Sequence, residues 1–452
     1  MRALIFLLFF IAGTVADLTG QSITGRINGF VRSGLYGELY KNNEADPFSS
    51  VYADAGLRLD LRNDYNLRAY ADVRYRYGSE FRQNVSALHL REAWISVYGK
   101  NVELVMGQRI IKWGRADFDN PVSSFNPRNL VVRSPEAADM DMGNIAASLI
   151  FKPAAFLSLE GTVTPFYRSD VLITTPLNLS ESVHINQIKG LLGGKSMAGY
   201  GVKLDFYLRS IDFSVSWFNG NDPLPAIRFE NIDVNIGEET VDFDITLNVT
   251  PYRISRFGAD FEAVAGRFGL RGEASYTKPE LSFRDTPYVP MPEVKWSAGA
   301  DIMLGDFLIG AEYIGKYITD FEASPVDPVP PGDMPPLTPD QIAMIPGGID
   351  GYTVMQITAF NRLYMYQLER SYHSVGMRVE ADMAAGRVSP GLVTLYNFTS
   401  GDLAMVPSVK YRPSDGVMII GGADIYKGRE GSLYDIIDRP LTNLFLALRV
   451  DF

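Results

Sequence analysis

Charged side chains recur at every second position along much of this chain. Between residues 52 and 77 one parity carries Asp54, Arg58, Asp60 and Arg62, then Arg68, Asp72, Arg74 and Arg76. Asp205, Arg256, Asp260, Glu262, Arg271, Glu273, Arg378 and Glu380 hold equivalent positions further on. Of the 42 basic residues only twelve are lysine, so the planar guanidinium fork dominates. Forks and carboxylates on one face can lock each other into a ladder of ion pairs. They can also present a mixed-charge surface that binds polar or acidic solutes, each fork meeting a carboxylate through two hydrogen bonds. The residue types leave both readings open.

A second concentration lies at 107–143, GQRIIKWGRADFDNPVSSFNPRNLVVRSPEAADMDMG. Carboxylates cluster at Asp117, Asp119, Glu136, Asp139 and Asp141, in the company of Arg109, Trp113, Arg115, Asn126 and Arg128. Asn120-Pro121 and Asn126-Pro127 stiffen the segment, because proline fixes its own φ and restricts the residue before it. A rigid, charged loop over 114–143 either folds inward as a constriction or caps the outside.

Covalent or acid–base catalysis needs a paired set. The three histidines, His89, His184 and His373, lie in no recognisable motif, although Ser371 and Ser374 flank His373. No cysteine occurs, which excludes disulfides and thiolate metal clusters. The chain is expected not to be an enzyme and to need no cofactor or metal; a scan for esterase and peptidase turnover tests that.

The element that positions the charged parities is the β-strand. In 52–62 the other parity reads Ala53, Ala55, Leu57, Leu59 and Leu61, and in 65–77 it reads Leu67, Ala69, Ala71, Val73 and Tyr75. A period of two means strands with one apolar and one polar face. Eighteen strands follow, with cores at 23–40, 50–62, 65–77, 86–98, 102–113, 144–152, 155–167, 197–209, 211–219, 251–264, 267–279, 293–304, 306–319, 371–383, 387–399, 402–412, 416–427 and 442–452. Arg91 beside Glu92, and Gln108 beside Arg109, break the parity and point to a bulge or a face shift there.

The connections alternate short and long. Asn63-Asp64, Pro153-Ala154, Gly266 and Gly305 are tight, whereas 114–143, 168–196, 220–250, 280–292 and 320–370 are extended. That sorting predicts an all-β, antiparallel transmembrane barrel with short periplasmic turns and long extracellular loops. The sheet must close, since an open edge in hydrocarbon leaves backbone groups unpaired. Its apolar parity faces lipid and its charged parity faces inward. Tyr36, Tyr40, Trp94, Tyr98, Trp113, Phe166, Tyr167, Trp217, Phe218, Trp296, Tyr313 and Tyr317, near strand ends, suit interfacial girdles. In loop 320–370, Pro325, Pro328, Pro330, Pro331, Pro335, Pro336 and Pro339 favour an extended course, and 352–369 reads as a loop helix or an extra hairpin arm.

The ends agree. Met1-Arg2, the apolar run Ala3–Gly13 and small residues to Ala16 have the layout of a secretory signal peptide, cleaved after Ala16 or near Gly20, so 1–21 is expected to be a leader and 22–452 one barrel. The apolar run is shorter than the ~20 residues a spanning helix needs. Leu444, Leu446, Leu448, Val450 and Phe452 share one parity and end on a terminal aromatic. Outer-membrane barrels as a class resemble this, which implies that Phe452 is an insertion signal read by the barrel-insertion machinery. The 452 residues carry a net charge of −11, which argues against nucleic acid as a partner, and an average apolar fraction of 46%, which half-lipid, half-water strands reproduce.

Gly107, Trp113, Gly114, Ala116, Asp117, Asn126, Pro127, Arg128 and Asn129 match a motif of the type G-R-Q-x-x-x-W-G-x-(A/S)-D…N-P-R-(D/N). It resembles that of a family of large outer-membrane barrels of unknown function; Gln108-Arg109 stands in reversed order. The eighteen-strand layout is also similar to alginate-export-type porins. Neither resemblance names a cargo. Barrels of 16–18 strands leave an aqueous channel unless loops plug them. The expected function is therefore a channel in the outer membrane of a Gram-negative-type bacterium, passing small hydrophilic or acidic solutes. The alternative is an export conduit or a transporter of lipid or hydrophobic compounds working with a periplasmic partner.

Overall fold

A computed structural model describes residues 23–39, 47–63, 65–173, 183–236, 241–283, 286–330 and 347–452. The expected leader, Tyr40 and four of the loop prolines (Pro331, Pro335, Pro336 and Pro339) lie outside the described residues. Eighteen strands form one closed sheet. In chain order they are β1 (Ile23–Glu38), β2 (Phe48–Asn63), β3 (Leu67–Glu80), β4 (Gln83–Tyr98), β5 (Val102–Arg109), β6 (Asn144–Ala154), β7 (Leu157–Thr164), β8 (Gly199–Tyr207) and β9 (Ile211–Asn221). The second half comprises β10 (Arg253–Ala265), β11 (Phe268–Pro279), β12 (Glu293–Leu304), β13 (Phe307–Ile318), β14 (Ser371–Ala381), β15 (Val388–Asn397), β16 (Leu403–Ser414), β17 (Val417–Lys427) and β18 (Asn443–Asp451). Each pairs antiparallel with the next, and β1 closes on β18 from Phe30↔Asp451 to Glu38↔Asn443. Each expected strand is present.

Closure removes every edge, and the two faces sort by chemistry. Ile27, Val31, Leu57, Leu149, Leu446 and Leu448 are exposed on the outside. A contiguous apolar belt of this kind suits hydrocarbon and no aqueous surface. The opposite parity carries the charges. Tight turns need left-handed backbone, and Gly266, Gly305, Gly386 and Gly416 supply it with φ of 65–78° or 61°.

The parity break resolves as a bulge. The β3–β4 register slips between Asp72 and Val73, so that Arg91 and Glu92 together oppose one residue. Gln108 Nε2 donates to the carbonyls of Leu90 and Arg91, satisfying backbone that the bulge unpairs. β5 ends at Arg109, short of the expected 113, because Ile110 and Ile111 donate their N–H groups to the side chains of Glu92 and Asn126 and leave the ladder.

The aromatic girdle needs correction. Trp217, Tyr313 and Tyr317 are exposed on the outer face, but Tyr36, Trp113, Tyr167 and Phe218 are at most 4% exposed and pack inside. Trp94 stacks on Tyr70 under the Arg68 guanidinium. Lumen-facing aromatics here are covered by loops, which a strand-end position does not reveal.

On the long-loop side, α1 (Gly348–Tyr364) settles the 352–369 alternative as a helix. The hairpin Ala226–Ile236/Val241–Thr250 pairs in parallel with Val183–Asn186, and a short helix α2 (Leu433–Leu441) starts at Ser432, whose Oγ accepts from Asp435 N–H. Asn361 of α1 bridges both backbone groups of Ile227. Leu172, Ile227, Leu247, Ile357, Phe360 and Leu433 knit these pieces into one apolar layer.

Candidate functional site

The segment 110–143 leaves β5 and runs across the barrel interior as a strap fastened to both walls. Its entry fold closes on itself. Asn126 Oδ1 accepts from Ile111 N–H at 2.7 Å and Asn126 Nδ2 donates to Ile111 O, while Asn120 Nδ2 donates to Trp113 O at 2.8 Å. Trp113, Phe125 and Phe218 form an edge-on aromatic stack, with ring centroids 4.8 and 4.9 Å apart. A Cβ on Gly201 would stand 2.6 Å from Phe125 and Trp113, and one on Gly376 2.5 Å from Phe118, so two wall glycines act as sockets for strap rings.

The first wall is β10–β14. Arg115 Nε donates to Asp260 at 2.7 Å and its Nη1 to Glu262 at 3.2 Å. Arg271 donates to Asp117 and to Asp301. Two carboxylates hold strap backbone: Glu273 accepts from the N–H groups of Arg115, Ala116 and Val122, and Glu312 accepts from those of Asp117 (2.9 Å) and Asp119 (3.5 Å). Arg256 reaches Ser123 O at 2.7 Å and Asp222 at 3.0 Å.

The second wall is β1–β4 with β17 and β18. Asp139 lies between Arg32 (2.7 Å) and Arg74 (2.6 Å), and Ser134 Oγ donates to it at 2.7 Å. Burial alone would raise its carboxyl, but the two guanidiniums hold it well below the usual carboxylate range. Arg91 donates to Ala138 O at 2.6 Å and Arg76 to Arg133 O, while Arg449 meets Glu136 at 2.7 Å and Arg133 meets Asp424 at 3.3 Å.

Most of the expected site residues therefore meet, but not as free groups. Asp72, Arg74, Arg76, Asp260 and Glu273 are at most 8% exposed. Their carboxylates and guanidiniums are spent on the strap and on one another, since a charge taken from water needs a partner. Arg58, Arg68, Arg378, Glu262 and Glu380 keep about a third to a half of their side chains exposed. Asp60 joins Arg62 and Arg68, Asp205 joins Lys203, and Arg109 joins Glu160. Arg128 rests on Asp141 at 3.5 Å. Phe452 pairs by both backbone groups with Gly29, at 2.8 and 2.9 Å. Ser374 and His373 face opposite sides of β14, and His373 Nδ1 meets the Tyr313 hydroxyl at 2.6 Å on the outer face.

Two partners were not singled out in the sequence, Arg32 and Asp170; Glu312, on an inward parity, was legible as a lumen charge but not as a strap holder. Asp170 Oδ1 accepts from Arg128 N–H at 2.7 Å and is 8% exposed. Burial, with Asp222 nearby, pushes its carboxyl up to about 7. An acid raised in the folded state binds its proton more tightly there, so the contribution of this junction to stability falls as pH rises from about 4 to about 7. Asp170→Asn is expected to raise the free energy of unfolding at pH 8, by up to a few kcal/mol, and to leave it unchanged at pH 4. Equal effects at both pH values would contradict this.

No protein-family model and no curated relative matches the chain in sequence. The structure is similar to that of Pseudomonas aeruginosa OccK9 (OpdG), with a TM-score of 0.54 at 9% identity over 95% of this chain and 97% of that one. It is also similar to Acinetobacter baumannii OccAB1 (TM-score 0.53, 11% identity, 95% and 96% covered) and OccAB2 (0.53, 9%, 95% and 98%). Near-complete coverage of both partners, at identities this low, identifies a shared architecture: the chain has the fold of these eighteen-stranded barrels.

Proposed function

We propose that the protein is a passive outer-membrane channel for small hydrophilic or acidic solutes, with the strap 110–143 as its constriction. One observation supports this above others: a closed barrel with an apolar exterior holds a charged strap clamped to two opposite walls of its interior. A barrel of this strand number has an interior too wide for wall side chains to fill, and the strap narrows it without needing a separate plug domain. The groups left exposed inside, Arg58, Arg68, Arg378, Glu262 and Glu380, are the ones that meet a passing solute. Arg forks there exchange carboxylate ligands with an acidic solute, and intervening acids keep binding weak enough for release. Phe452 serves insertion. The test is a planar-bilayer recording of the refolded, heat-modifiable barrel. Stepwise conductance is expected, and it should fall when millimolar dicarboxylate is added. A correctly folded barrel without conductance would sink the proposal.

A further inference from the structure

Above the strap, on the long-loop side, lies a cavity of about 440 Å³. Of the ion-pair clamps only Arg133–Asp424 reaches its edge. Its walls come from three inserted elements: Leu130 and Val132 of the strap, Phe360 and Tyr364 of α1, and Leu433 and Ile437 of α2. The ends of β16 and β17 close it with Val406 and Tyr426. The two basic residues at its margin each already face a carboxylate, although Arg133 Nε makes no hydrogen bond among the described residues. Arg133 pairs with Asp424 at 3.3 Å and lies over the Tyr36 ring, and Arg128 pairs with Asp141 at 3.5 Å. The hydroxyls of Tyr364 and Tyr426 have no hydrogen-bond partner among the described residues, yet neither is a sealed, unsatisfied atom. Both side chains line the cavity.

We propose that this cavity binds an uncharged, largely apolar ring compound carrying one hydroxyl or carbonyl. The walls supply apolar contact, which gains about 25 cal/mol per Å² buried. The two phenol hydroxyls supply orientation, in the usual pattern of a mainly apolar site with few convergent polar groups. An added carboxylate would enter without a free cation to meet it, at a desolvation cost that the engaged arginines do not offset. An apolar cavity of about 150 Å³ takes up benzene; one roughly three times larger suits two or three fused rings. The inference rests on the channel reading only for what happens next: a solute held here stands directly above the constriction. Binding itself needs no conduction.

Equilibrium dialysis of the barrel in lipid nanodiscs, corrected for empty discs, tests it with 1-naphthol, naphthalene and 1-naphthoate as probes. Saturable 1-naphthol binding is expected, with 1-naphthoate at least about tenfold weaker, the equivalent of a ~1.4 kcal/mol penalty. Ile437→Trp, which fills the cavity from α2, outside the strap, should abolish binding while heat-modifiable mobility and conductance persist. Tyr364→Phe should weaken 1-naphthol about three- to tenfold and leave naphthalene unchanged. Naphthoate binding as tight as naphthol, naphthol binding retained in Ile437→Trp, or no saturable naphthol binding would each overturn the assignment. A missing conductance with naphthol binding intact would instead overturn only the channel reading.

Discussion

Asp139→Ala should release the strap from the β1–β4 wall and raise the single-channel conductance. The Asp139 carboxylate is 6% exposed and bridges Arg32, whose side chain is fully buried, to Arg74. Removing one partner of a buried ion pair costs about 3–5 kcal/mol, because it leaves an uncompensated charge. Here the lower end applies, since Arg32 retains Asp54 at 2.6 Å and Arg74 retains Asp72 at 3.2 Å. The turn Ala137–Met140 loses its Asp139 anchor and is left with Arg91 on Ala138 O and Arg449 on Glu136, so the current should become larger and noisier. Asp139→Asn keeps the Ser134 hydrogen bond and should fall between. A carboxylate held below its unfolded value stabilises at all pH above about 4 and loses that contribution only as pH falls through its folded value. Wild-type conductance should therefore not change through release of this latch between pH 7 and pH 4. An Asp139→Ala channel with wild-type conductance and noise would contradict the clamp.

Glu273→Ala should unseat the other end. Glu273 is 4% exposed and accepts from three strap N–H groups, those of Arg115, Ala116 and Val122. Orphaning a buried donor costs about 1–3 kcal/mol. The three together come to about 3–9 kcal/mol, large against the marginal stability of any domain. Glu273→Gln keeps one acceptor oxygen and should lose about half as much. Limited trypsin digestion reports it: cleavage after Arg115 and Arg128, resisted by the native strap, should appear in Glu273→Ala before any wall strand is cut. A variant as resistant as wild type would mean that the side-chain clasps of Arg115 and Arg271 suffice alone.

The two ends of the strap differ in how readable they are. Asp117, Asp139 and their neighbours stand out in sequence because a dense run of carboxylates with two Asn-Pro pairs is unusual between strands. Their partners do not. Arg32 is one charge in a strand of small residues, and Glu312 sits alone among Gly, Ala and Tyr. Each acquires meaning only because the barrel closes and brings β1 or β13 to face the strap over a sequence separation of a hundred residues or more. Gly201 and Gly376 are likewise ordinary strand glycines until Trp113, Phe125 and Phe118 are set against them.

Alternation of apolar and polar residues by itself determined the eighteen strands, their inner and outer faces and the side on which the loops gather, because a period of two is a local property and lipid enforces it along the whole chain. The bulge at Arg91–Glu92 was legible for the same reason. What only the tertiary structure decided was the fate of the charges and of the long loops. Which carboxylate meets which guanidinium is a matter of distance across the lumen, and a buried charge takes whichever opposite charge closure brings within reach. The strap therefore runs inward instead of capping the outside, seven expected lumen charges (Arg74, Arg76, Arg256, Asp260, Glu262, Arg271 and Glu273) are engaged in holding it, and α1, α2 and the 226–250 hairpin, none of which follows the strand period that reads the wall, enclose an apolar chamber above it.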